Sequence, residues 1–318
     1  MKANPFKQTL AAAVLACAAM SAQAVIAVPV QQPFSALYVF GDSLSDGGNA
    51  AALGAVNPAQ VITGNTYIPS AAYGSGTFSN GPVWVNSLAT QLGVTGAGAS
   101  LAGGSNWALG GSTSAGAVAQ LNQFLTFTPS PSTGALYVIA AGGNDVRDAA
   151  TGGASNPSAF ATNVTTMVTT LLGKGISTKN IVVWNAPDVG KTPASIALGV
   201  SSAGTFLSTA FNGVLDSALA APSFAGLLRY DVFGRVNAIV ASPGSFGLSN
   251  VTQACGAPSN ACSGSVSTAL FWDGIHPTAA GQSIIANGMF AVVAVPEPSS
   301  MLMLAVGICA LFAWRRRA

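Results

Sequence analysis

The sequence is poor in charge and in the side chains that most often carry acid–base or metal chemistry. Only 6% of its 318 residues are charged, His276 is the only histidine and Glu297 is the only glutamate. These counts exclude a metal site built from histidine or thiolate ligands, and a carboxylate site would have to use scattered aspartates. Hydrolysis of glycosides by paired carboxylates would need two of the same aspartates, and no spacing indicates which two. We therefore expect no metal and no cofactor.

Basic residues are scarce in the body of the chain. Residues 25–294 contain six Lys or Arg and eight Asp, a net charge of −2, so the formal charge of +2 on the whole chain comes from its ends. No basic stripe remains in the body to bind a phosphate backbone. The composition therefore predicts no nucleic-acid partner.

The first 24 residues have the layout of a secretory signal. Lys2 and Lys7 precede an apolar run at residues 10–20, and Ala22-Gln23-Ala24 forms an A-x-A cleavage pattern. A buried helix is the alternative. We expect signal peptidase to remove residues 1–24 during export.

The C-terminal end has a mirrored arrangement. The string Val-Pro-Glu-Pro-Ser at residues 295–299 precedes an apolar stretch at 301–314 and an arginine cluster at 315–317. The stretch is shorter than the ~20 residues that span a bilayer comfortably, and cytoplasmic arginines would fix its orientation. The pattern resembles the PEP-CTERM sorting signal of Gram-negative bacteria, which implies transient anchoring in the inner membrane, an exosortase as partner and delivery to the cell surface or the medium. A permanent transmembrane anchor is the alternative.

These ends set the predicted domain boundaries, which are a signal peptide at 1–24, a folded domain at 25–294 and a sorting or anchor segment at 295–318. Within the folded domain, Cys255 and Cys262 are the only cysteines. Because exported proteins meet an oxidising compartment, we expect the two to form a disulfide. A reduced pair is the alternative, and metal binding lacks partner ligands.

Five apolar runs predict buried strands, and the segments between them repeat apolar residues at helical spacing. The predicted strands are 36–40, 106–109, 135–140, 181–184 and 226–231, and the predicted helices are 83–92, 117–125, 160–172, 205–219 and 278–293. Alternation of strand and helix favours an α/β fold, a parallel sheet covered on both faces as a three-layer α/β/α sandwich. The stretches 57–79 and 93–105 are predicted to be long loops that shape a substrate cleft.

The first predicted strand ends where a hydroxyl appears, in the string Gly41-Asp42-Ser43. In an open α/β sheet, ligands bind beyond the carboxyl ends of the strands, so Ser43 is placed for chemistry. The alternative is that Asp42 and Ser43 only shape a turn.

Four blocks of the sequence together resemble the motifs of the GDSL (SGNH) hydrolases, in the order expected of that family. The blocks are Gly41-Asp-Ser-Leu44, Asn106-Trp-Ala-Leu-Gly-Gly111, Gly142-Gly-Asn-Asp145 and Asp273-Gly-Ile-His276. Lesser matches at 78–84 and 183–187 extend the similarity over most of the predicted domain. The resemblance implies a flavodoxin-like sheet with strand order 2-1-3-4-5, and its strings are most similar to the lipase, phospholipase and esterase branch.

The resemblance and the residue chemistry together assign the candidate roles. Ser43 is the predicted nucleophile, His276 its general base and Asp273 the residue that orients the imidazole. The backbone N–H groups of Ser43 and Gly111 and the side-chain amide of Asn144 are the predicted oxyanion hole. Gly110 is a rival for the place of Gly111, a tight turn or an Asx-turn is the alternative at Gly111 or Asn144, and a lone histidine more often has no catalytic role.

Charged residues beside these positions are interpreted differently. Asp42, Asp46 and Asp145 are expected to bond turn backbones. Arg147 and Asp148 can form a solvated pair.

The sequence thus predicts an exported serine hydrolase that cleaves carboxylic esters of a lipid or an acylated glycan through an acyl-enzyme. One alternative is a carbohydrate O-acyl esterase acting on surface polysaccharide, which the sorting segment suggests. The other is a non-catalytic surface or matrix protein on a hydrolase scaffold.

Overall fold

The computed structural model describes residues 29–30, 34–260, 262 and 265–296. The chain divides into two compact units, of which the larger is Gln32–Val293. In the smaller unit the described residues form two short strands, Pro29–Val30 and Val295–Pro296, which pair antiparallel. The predicted signal peptide at 1–24 and the apolar stretch at 301–314 lie outside the described residues. None of the described helices combines the length and the apolar character that a bilayer span requires.

A parallel sheet forms the centre of the larger unit. Its strands, in spatial order, are β1 (Leu37–Gly41), β2 (Leu136–Ala140), β3 (Ile181–Trp184) and β4 (Leu228–Tyr230). Gly41 at the end of β1 lies opposite Ala140 at the end of β2. The segments that follow these two strands therefore emerge side by side at the carboxyl edge of the sheet.

The segment at 106–109 lies along the outer side of β1, where the predicted order places strand 2. It forms a parallel bridge between Val39 and Asn106, and the N–H groups of Trp107 and Leu109 donate to the carbonyls of Val39 and Gly41 at 2.8 and 3.1 Å. The predicted strand is wrong as a strand, because its regular pairing with β1 is limited to the isolated bridge at Asn106, whose Oδ1 also accepts the N–H of Ala108 at 3.1 Å. The predicted neighbourhood of the segment is nevertheless the observed one.

Residues along the strands alternate between two cores, as the pleat of a strand requires. Phe40, Ile139 and Val183 belong to one core, and Val39 and Val138 belong to the other. All five are buried. Because both faces of the sheet are covered, the strands are apolar throughout rather than alternating with polar residues.

Helices cover both faces of the sheet. In chain order they are α1 (Asn49–Ala52), α2 (Trp84–Leu92), α3 (Ser114–Phe127), α4 (Gly143–Ala150), α5 (Pro157–Gly173), α6 (Pro193–Ala197), α7 (Ser201–Leu219), α8 (Val232–Ala241) and α9 (Ala279–Val293). Helices α3, α5 and α7 pack on the first core, and α2 and α9 pack on the second. The predicted three-layer α/β/α sandwich is confirmed.

Several elements are not predicted from the sequence. Helix α4 has few apolar residues and lies at the carboxyl edge of the sheet, so it carries no strong apolar period. Helix α8 and a small sheet of β5 (Asn250–Ala254) and β6 (Ala269–Phe271) are also missed, since β6 has three residues and β5 includes exposed polar ones. The stretches 57–79 and 93–105 contain no α-helix and no paired strand, as predicted.

Candidate active site

The structure brings Ser43, His276 and Asp273 together at the carboxyl edge of the sheet. Ser43 Oγ lies 2.8 Å from His276 Nε2, and His276 Nδ1 lies 2.8 Å from Asp273 Oδ2. All three residues are buried, Asp273 completely. Because Nδ1 faces a carboxylate, it carries the imidazole hydrogen, which leaves Nε2 as an acceptor for the serine hydroxyl. This arrangement can remove the hydroxyl proton of Ser43.

The turn after β1 presents Ser43 in a fixed position. The side-chain amide of Gln120 in α3 holds both the N–H and the carbonyl of Gly41, each at 2.8 Å. A Cβ on Gly41 would collide with the carbonyl oxygen of Ala140, so the close approach of β1 to β2 requires glycine here. The nucleophile turn is therefore fastened to the sheet on one side and to α3 on the other.

Asp273 organises the turn that carries His276. Its Oδ1 accepts the backbone N–H groups of Ile275 and His276, both at 2.8 Å, while its Oδ2 faces the imidazole. One carboxylate therefore fixes both the backbone and the ring of the histidine. Helix α9 follows at Ala279 and anchors the turn against the second core.

Of the predicted oxyanion donors, Ser43 and Asn144 line the cavity that contains His276, and Gly111 lines an adjoining groove. The N–H groups of Ser43 and Gly111 have no partner within the described residues, whereas the Gly110 N–H donates to Asp46 Oδ2 at 2.9 Å. Gly111 also has a φ of +80°, a conformation that favours glycine. This geometry favours Gly111 over its rival Gly110. Asn144 Nδ2 donates one hydrogen to the Ser112 carbonyl at 2.9 Å, and its second hydrogen remains available.

Arg147 fixes the orientation of the Asn144 amide. Its Nη1 donates to Asn144 Oδ1 at 3.1 Å, which turns the amide nitrogen the other way. The interpretation of Arg147 and Asp148 as a solvated pair is wrong, because the Asp148 carboxylate instead accepts the N–H of Ser155 at 2.8 Å. Burial lowers the pKa of Arg147, while Asp42 and Asp273 act in the opposite direction.

Asp46 and Asp145 bond neighbouring backbone, as predicted for them. The Asp46 carboxylate accepts backbone N–H groups from two segments, namely those of Gly48, Asn49, Ala50 and Gly110. Asp145 accepts both the N–H and the hydroxyl of Ser114 at the start of α3. Burial raises the pKa of Asp145, and the bonds from Ser114 oppose that rise. The two carboxylates thus connect the loops that surround Ser43.

Asp42 forms the predicted bond to the turn backbone and also lies at the candidate site. Its Oδ1 accepts the Leu44 N–H at 3.0 Å, and its side chain also lines a cavity beside Ser43. Burial raises the pKa of Asp42 to about 6, although the Leu44 N–H, His276 and Arg147 all lower it. A buried charge therefore stands directly beside the candidate nucleophile near neutral pH.

Two cavities meet at the candidate site. A cavity of about 70 Å³ adjoins Ser43 and His276, and its apolar walls are formed by Leu44, Val189, Val232, Val236, Phe271, Ile275 and Ile285. A wider groove of about 620 Å³ has mainly apolar walls, with Ile68, Leu198 and Val200 among them, and its polar lining residues include Thr113, Asp148, Thr151, Thr192 and Ser195. Asn144 and Arg147 line both spaces. The described residues include no group of three His, Cys, Asp or Glu side chains suited to a metal ion.

Two aromatic residues of the long loop at 57–79 reach the site without having been predicted. Tyr73 donates its hydroxyl to Asp273 Oδ2 at 2.8 Å, and the Phe78 ring lies 5.4 Å from the imidazole of His276. Tyr73 and Asp273 are 200 positions apart in sequence. No local pattern in the loop indicates such a distant partner, so only its identification as a cleft loop hinted at a role.

The predicted disulfide between Cys255 and Cys262 is present. It closes a short loop beside the 57–79 loop. Asn65 Oδ1 accepts the N–H of Ala254 at 2.9 Å, and the Ser259 hydroxyl donates to the Thr63 carbonyl at 3.0 Å. The cross-linked loop therefore braces the segment that carries Tyr73.

Residues 37–289 match the family described as GDSL-like Lipase/Acylhydrolase. The chain belongs to this family. Its C-terminal residues 294–317 match the PEP-CTERM protein-sorting motif, which indicates export in a Gram-negative bacterium.

This chain is similar in sequence to an esterase and similar in fold to solved hydrolase structures. Esterase EstA of Pseudomonas aeruginosa is 28% identical over 93% of this chain and 52% of EstA, and the chain spans about half the length of the curated relatives it matches. The structure of LAE5, an α/β hydrolase enzyme from the metagenome of Lake Arreo, Spain, gives a TM-score of 0.50 at 17% identity, covering 84% of this chain and 100% of LAE5. Axe2, an acetylxylan esterase from Geobacillus stearothermophilus, gives 0.50 at 14% identity, covering 84% and 97%. At these identities the structural likeness shows the fold.

The buried charge of Asp42 makes a testable contribution to stability. Its folded-state pKa of about 6 exceeds the ordinary 3.8, so the ionised form destabilises the fold above pH ~6 and this cost disappears as the pH falls through both values. Asp42→Asn keeps an acceptor for Leu44 but carries no charge. We expect the variant to gain about 3 kcal/mol in free energy of unfolding near pH 7.5 and little near pH 3.5. Urea unfolding of both proteins at the two pH values measures the difference.

Asp216→Asn is the matched control, because this aspartate pairs with Arg229 at the surface. It removes the same charge from the chain without touching the site. An equal gain from Asp42→Asn at both pH values would contradict the prediction.

Proposed function

We propose that the protein is an exported serine hydrolase that cleaves carboxylic esters through an acyl-enzyme on Ser43. The observation that carries the proposal is the series of hydrogen bonds from Ser43 Oγ to His276 and from His276 to Asp273, at 2.8 Å each. It uses the only histidine of the chain, so no other imidazole competes for the role of base. Membership of the lipase/acylhydrolase family supports the same class of reaction.

In the proposed reaction, Ser43 Oγ attacks the ester carbonyl carbon while His276 Nε2 takes the hydroxyl proton. Asp273 keeps the hydrogen on Nδ1 and stabilises the imidazolium that forms. The bond from the carbonyl carbon to the alcohol oxygen then breaks, and His276 returns its proton to the leaving alcohol. Water repeats the sequence on the acyl-enzyme, which releases the carboxylic acid and restores Ser43.

Developing negative charge on the carbonyl oxygen needs preorganised donors. The unpartnered N–H groups of Ser43 and Gly111 and the free hydrogen of the Asn144 amide are the donors we assign. Arg147 supports this role, because its bond to Asn144 Oδ1 keeps the amide from flipping. Its positive charge also favours the oxyanion electrostatically.

The two cavities suggest where the acyl group and the alcohol group of an ester bind. The apolar cavity of about 70 Å³ suits a short acyl group, and the wider groove suits a larger alcohol. The polar side chains within that mainly apolar groove, such as Thr113 and Asp148, support a second candidate, a carbohydrate O-acyl esterase. The acetylxylan esterase activity named for Axe2 is in keeping with that candidate, whereas EstA is named only as an esterase. A non-catalytic surface protein is less well supported, since this chain keeps every group that the reaction needs.

The acyl-enzyme is directly testable. When the full-length protein reacts with p-nitrophenyl butyrate, we expect a burst of p-nitrophenol and a mass increase on the peptide that contains Ser43, because deacylation is a separate step. Ser43→Ala should show neither signal while remaining folded. Ser45→Ala is the matched control, since Ser45 is also buried but its Oγ accepts the Nε1–H of Trp84 and does not contact His276.

A substrate panel separates the remaining candidates. Short p-nitrophenyl esters, acetylated glycans and phospholipids would be compared in the same preparation. Preferred release of acetate from glycans would favour the carbohydrate esterase, and preferred cleavage of phospholipids would favour a lipase. Failure to turn over any ester with Ser43 intact would contradict the proposed enzyme and leave the non-catalytic scaffold.

The assignment of Asn144 to the oxyanion hole predicts a large kinetic effect. Asn144→Ala should lower kcat by roughly 10²- to 10³-fold with a smaller change in KM, because the lost hydrogen bond forms fully only in the transition state. Asn122→Ala, at an exposed position on α3, provides the control and should retain kcat. A loss smaller than about threefold in Asn144→Ala would remove this residue from the proposed oxyanion hole.

We also propose that signal peptidase removes residues 1–24 and that an exosortase processes the C-terminal segment. The arginines at 315–317 would remain cytoplasmic while the folded domain lies across the inner membrane. Val295–Pro296 pairs with Pro29–Val30, so the cleavage we propose falls beyond this short strand. The mature protein is therefore expected to end near Pro298.

Intact-mass measurement on protein recovered from the surface or medium of the native host tests this processing. The expected mass lacks both the first 24 residues and the segment after Pro298. Protein that still carries the last four residues, Arg315 to Ala318, would contradict cleavage and favour a permanent anchor.

A further inference from the structure

Tyr73 contacts the oxygen of Asp273 that also orients the imidazole. The tyrosine hydroxyl donates to Asp273 Oδ2 at 2.8 Å, and His276 Nδ1 lies 2.8 Å from the same oxygen. Tyr73 is only 7% exposed and Asp273 is fully buried. Water therefore has little access to the place of the tyrosine hydroxyl, and the contact is a built part of the site.

The surroundings of Tyr73 hold the hydroxyl in place. Its ring packs edge-on against Trp272, with 6.0 Å between the centroids. A tight turn fixes its backbone, since the Tyr73 N–H donates to the Thr77 carbonyl and the Gly76 N–H returns to Tyr73, both at 2.8 Å. The ring and backbone contacts together orient the Tyr73 hydroxyl toward Asp273.

The loop that carries Tyr73 is also fastened to the turn of Asp273 and to the disulfide loop. The Gly274 N–H donates to the Tyr67 carbonyl at 2.8 Å. Asn65 accepts the N–H of Ala254, which directly precedes Cys255, and the side-chain amide of Asn260. The tyrosine and the aspartate are therefore positioned as one unit.

We propose that Tyr73 is a positioning residue of the catalytic base, which holds the Asp273 carboxylate so that it orients His276 toward Ser43. The proposal builds on the function proposed above. It gives the loop at 57–79 a part in the chemistry in addition to shaping the cleft.

The hydrogen bond from Tyr73 also limits how strongly the Asp273 carboxylate stabilises the protonated form of His276. A hydroxyl donor spreads the carboxylate charge, so its removal concentrates that charge on the imidazole and favours the imidazolium. Tyr73 stays a neutral donor throughout the working range, because burial and the nearby Asp273 raise its pKa. The other charged or titratable groups that face these residues are Arg147, Asp42 and Tyr67. None of them is changed by replacing Tyr73 with phenylalanine.

The test uses Tyr73→Phe in the full-length protein, with Tyr67→Phe as the matched control. Tyr67 lies on the same loop, but its hydroxyl donates to Gln60 Oε1 at 3.0 Å and does not touch Asp273. Since His276 is the only histidine, its imidazole signals in an NMR titration are unambiguous and need no substrate. Steady-state kinetics on a short ester provide the second measurement.

In Tyr73→Phe we expect the imidazole titration midpoint to move to higher pH by roughly half a pH unit or more. The acid limb of kcat/KM should move with it, and kcat should fall roughly tenfold with KM changed less than about twofold. Tyr67→Phe should leave both readouts unchanged. An unmoved midpoint in folded Tyr73→Phe, or an equal movement in both variants, would overturn the proposal.

A second replacement keeps the test decisive if Tyr73→Phe does not fold. Site-specific 3-fluorotyrosine at position 73 keeps the shape and makes the phenol a stronger donor, so the midpoint should move to lower pH. Movement in the other direction, or none, would refute the role of Tyr73. Because the titration needs no ester, it separates failure of this inference from failure of the proposed hydrolase activity.

Discussion

Burial of carboxylate charge is the constraint on which the rest of the site depends. The body of the chain has eight aspartates, and five of them are buried, namely Asp42, Asp46, Asp145, Asp188 and Asp273. An unpaired buried charge costs several kcal/mol, so each carboxylate must find donors on neighbouring segments. Asp46 finds them at the start of α1 and on Gly110, and Asp145 finds them on Ser114. A sequence with little charge thus concentrates its charge where separate loops must be held together.

Sequence patterns predicted the layers of the fold well, because apolar runs and helical spacing record burial directly. The predicted strand at 181–184 matches the observed β3, and the predicted helix at 83–92 differs from α2 by one residue. The segment at 106–109 was predicted as a strand because its run is apolar, but its pairing with β1 stops at an isolated bridge, and the Asn106 amide donates to the distant Ser45 carbonyl. Helix α4 was missed because its residues are mainly polar and line the candidate site, so they show no apolar pattern of core residues.

The residues of the candidate site that lie within short motifs were predictable from the sequence. Ser43, Asn144, Asp273 and His276 lie in recognisable strings, and the central sheet brings the strings of Ser43 and Asn144 to one edge. Tyr73 was not assigned a role, because its contact with Asp273 depends on where a long loop meets the site. Arg147 was interpreted as a partner of Asp148, whereas it donates to Asn144 within α4. A short motif identifies residues that contact one another through a local turn. It does not identify a side chain that reaches the site from a distant loop, whose path depends on packing and on a disulfide.

The two halves of the proposed catalytic machinery have different mechanical supports. The nucleophile turn is fixed by the sheet, through the contact of Gly41 with β2 and the clamp of Gln120. Asp273 is held instead from outside the sheet, by Tyr73 and by a loop braced against the Cys255–Cys262 disulfide. Changes in the long loop should therefore alter the basicity of His276 without displacing Ser43, because the sheet does not transmit them. A family that keeps one sheet and varies its loops can in this way change the basicity of its catalytic histidine while its nucleophilic serine stays in place.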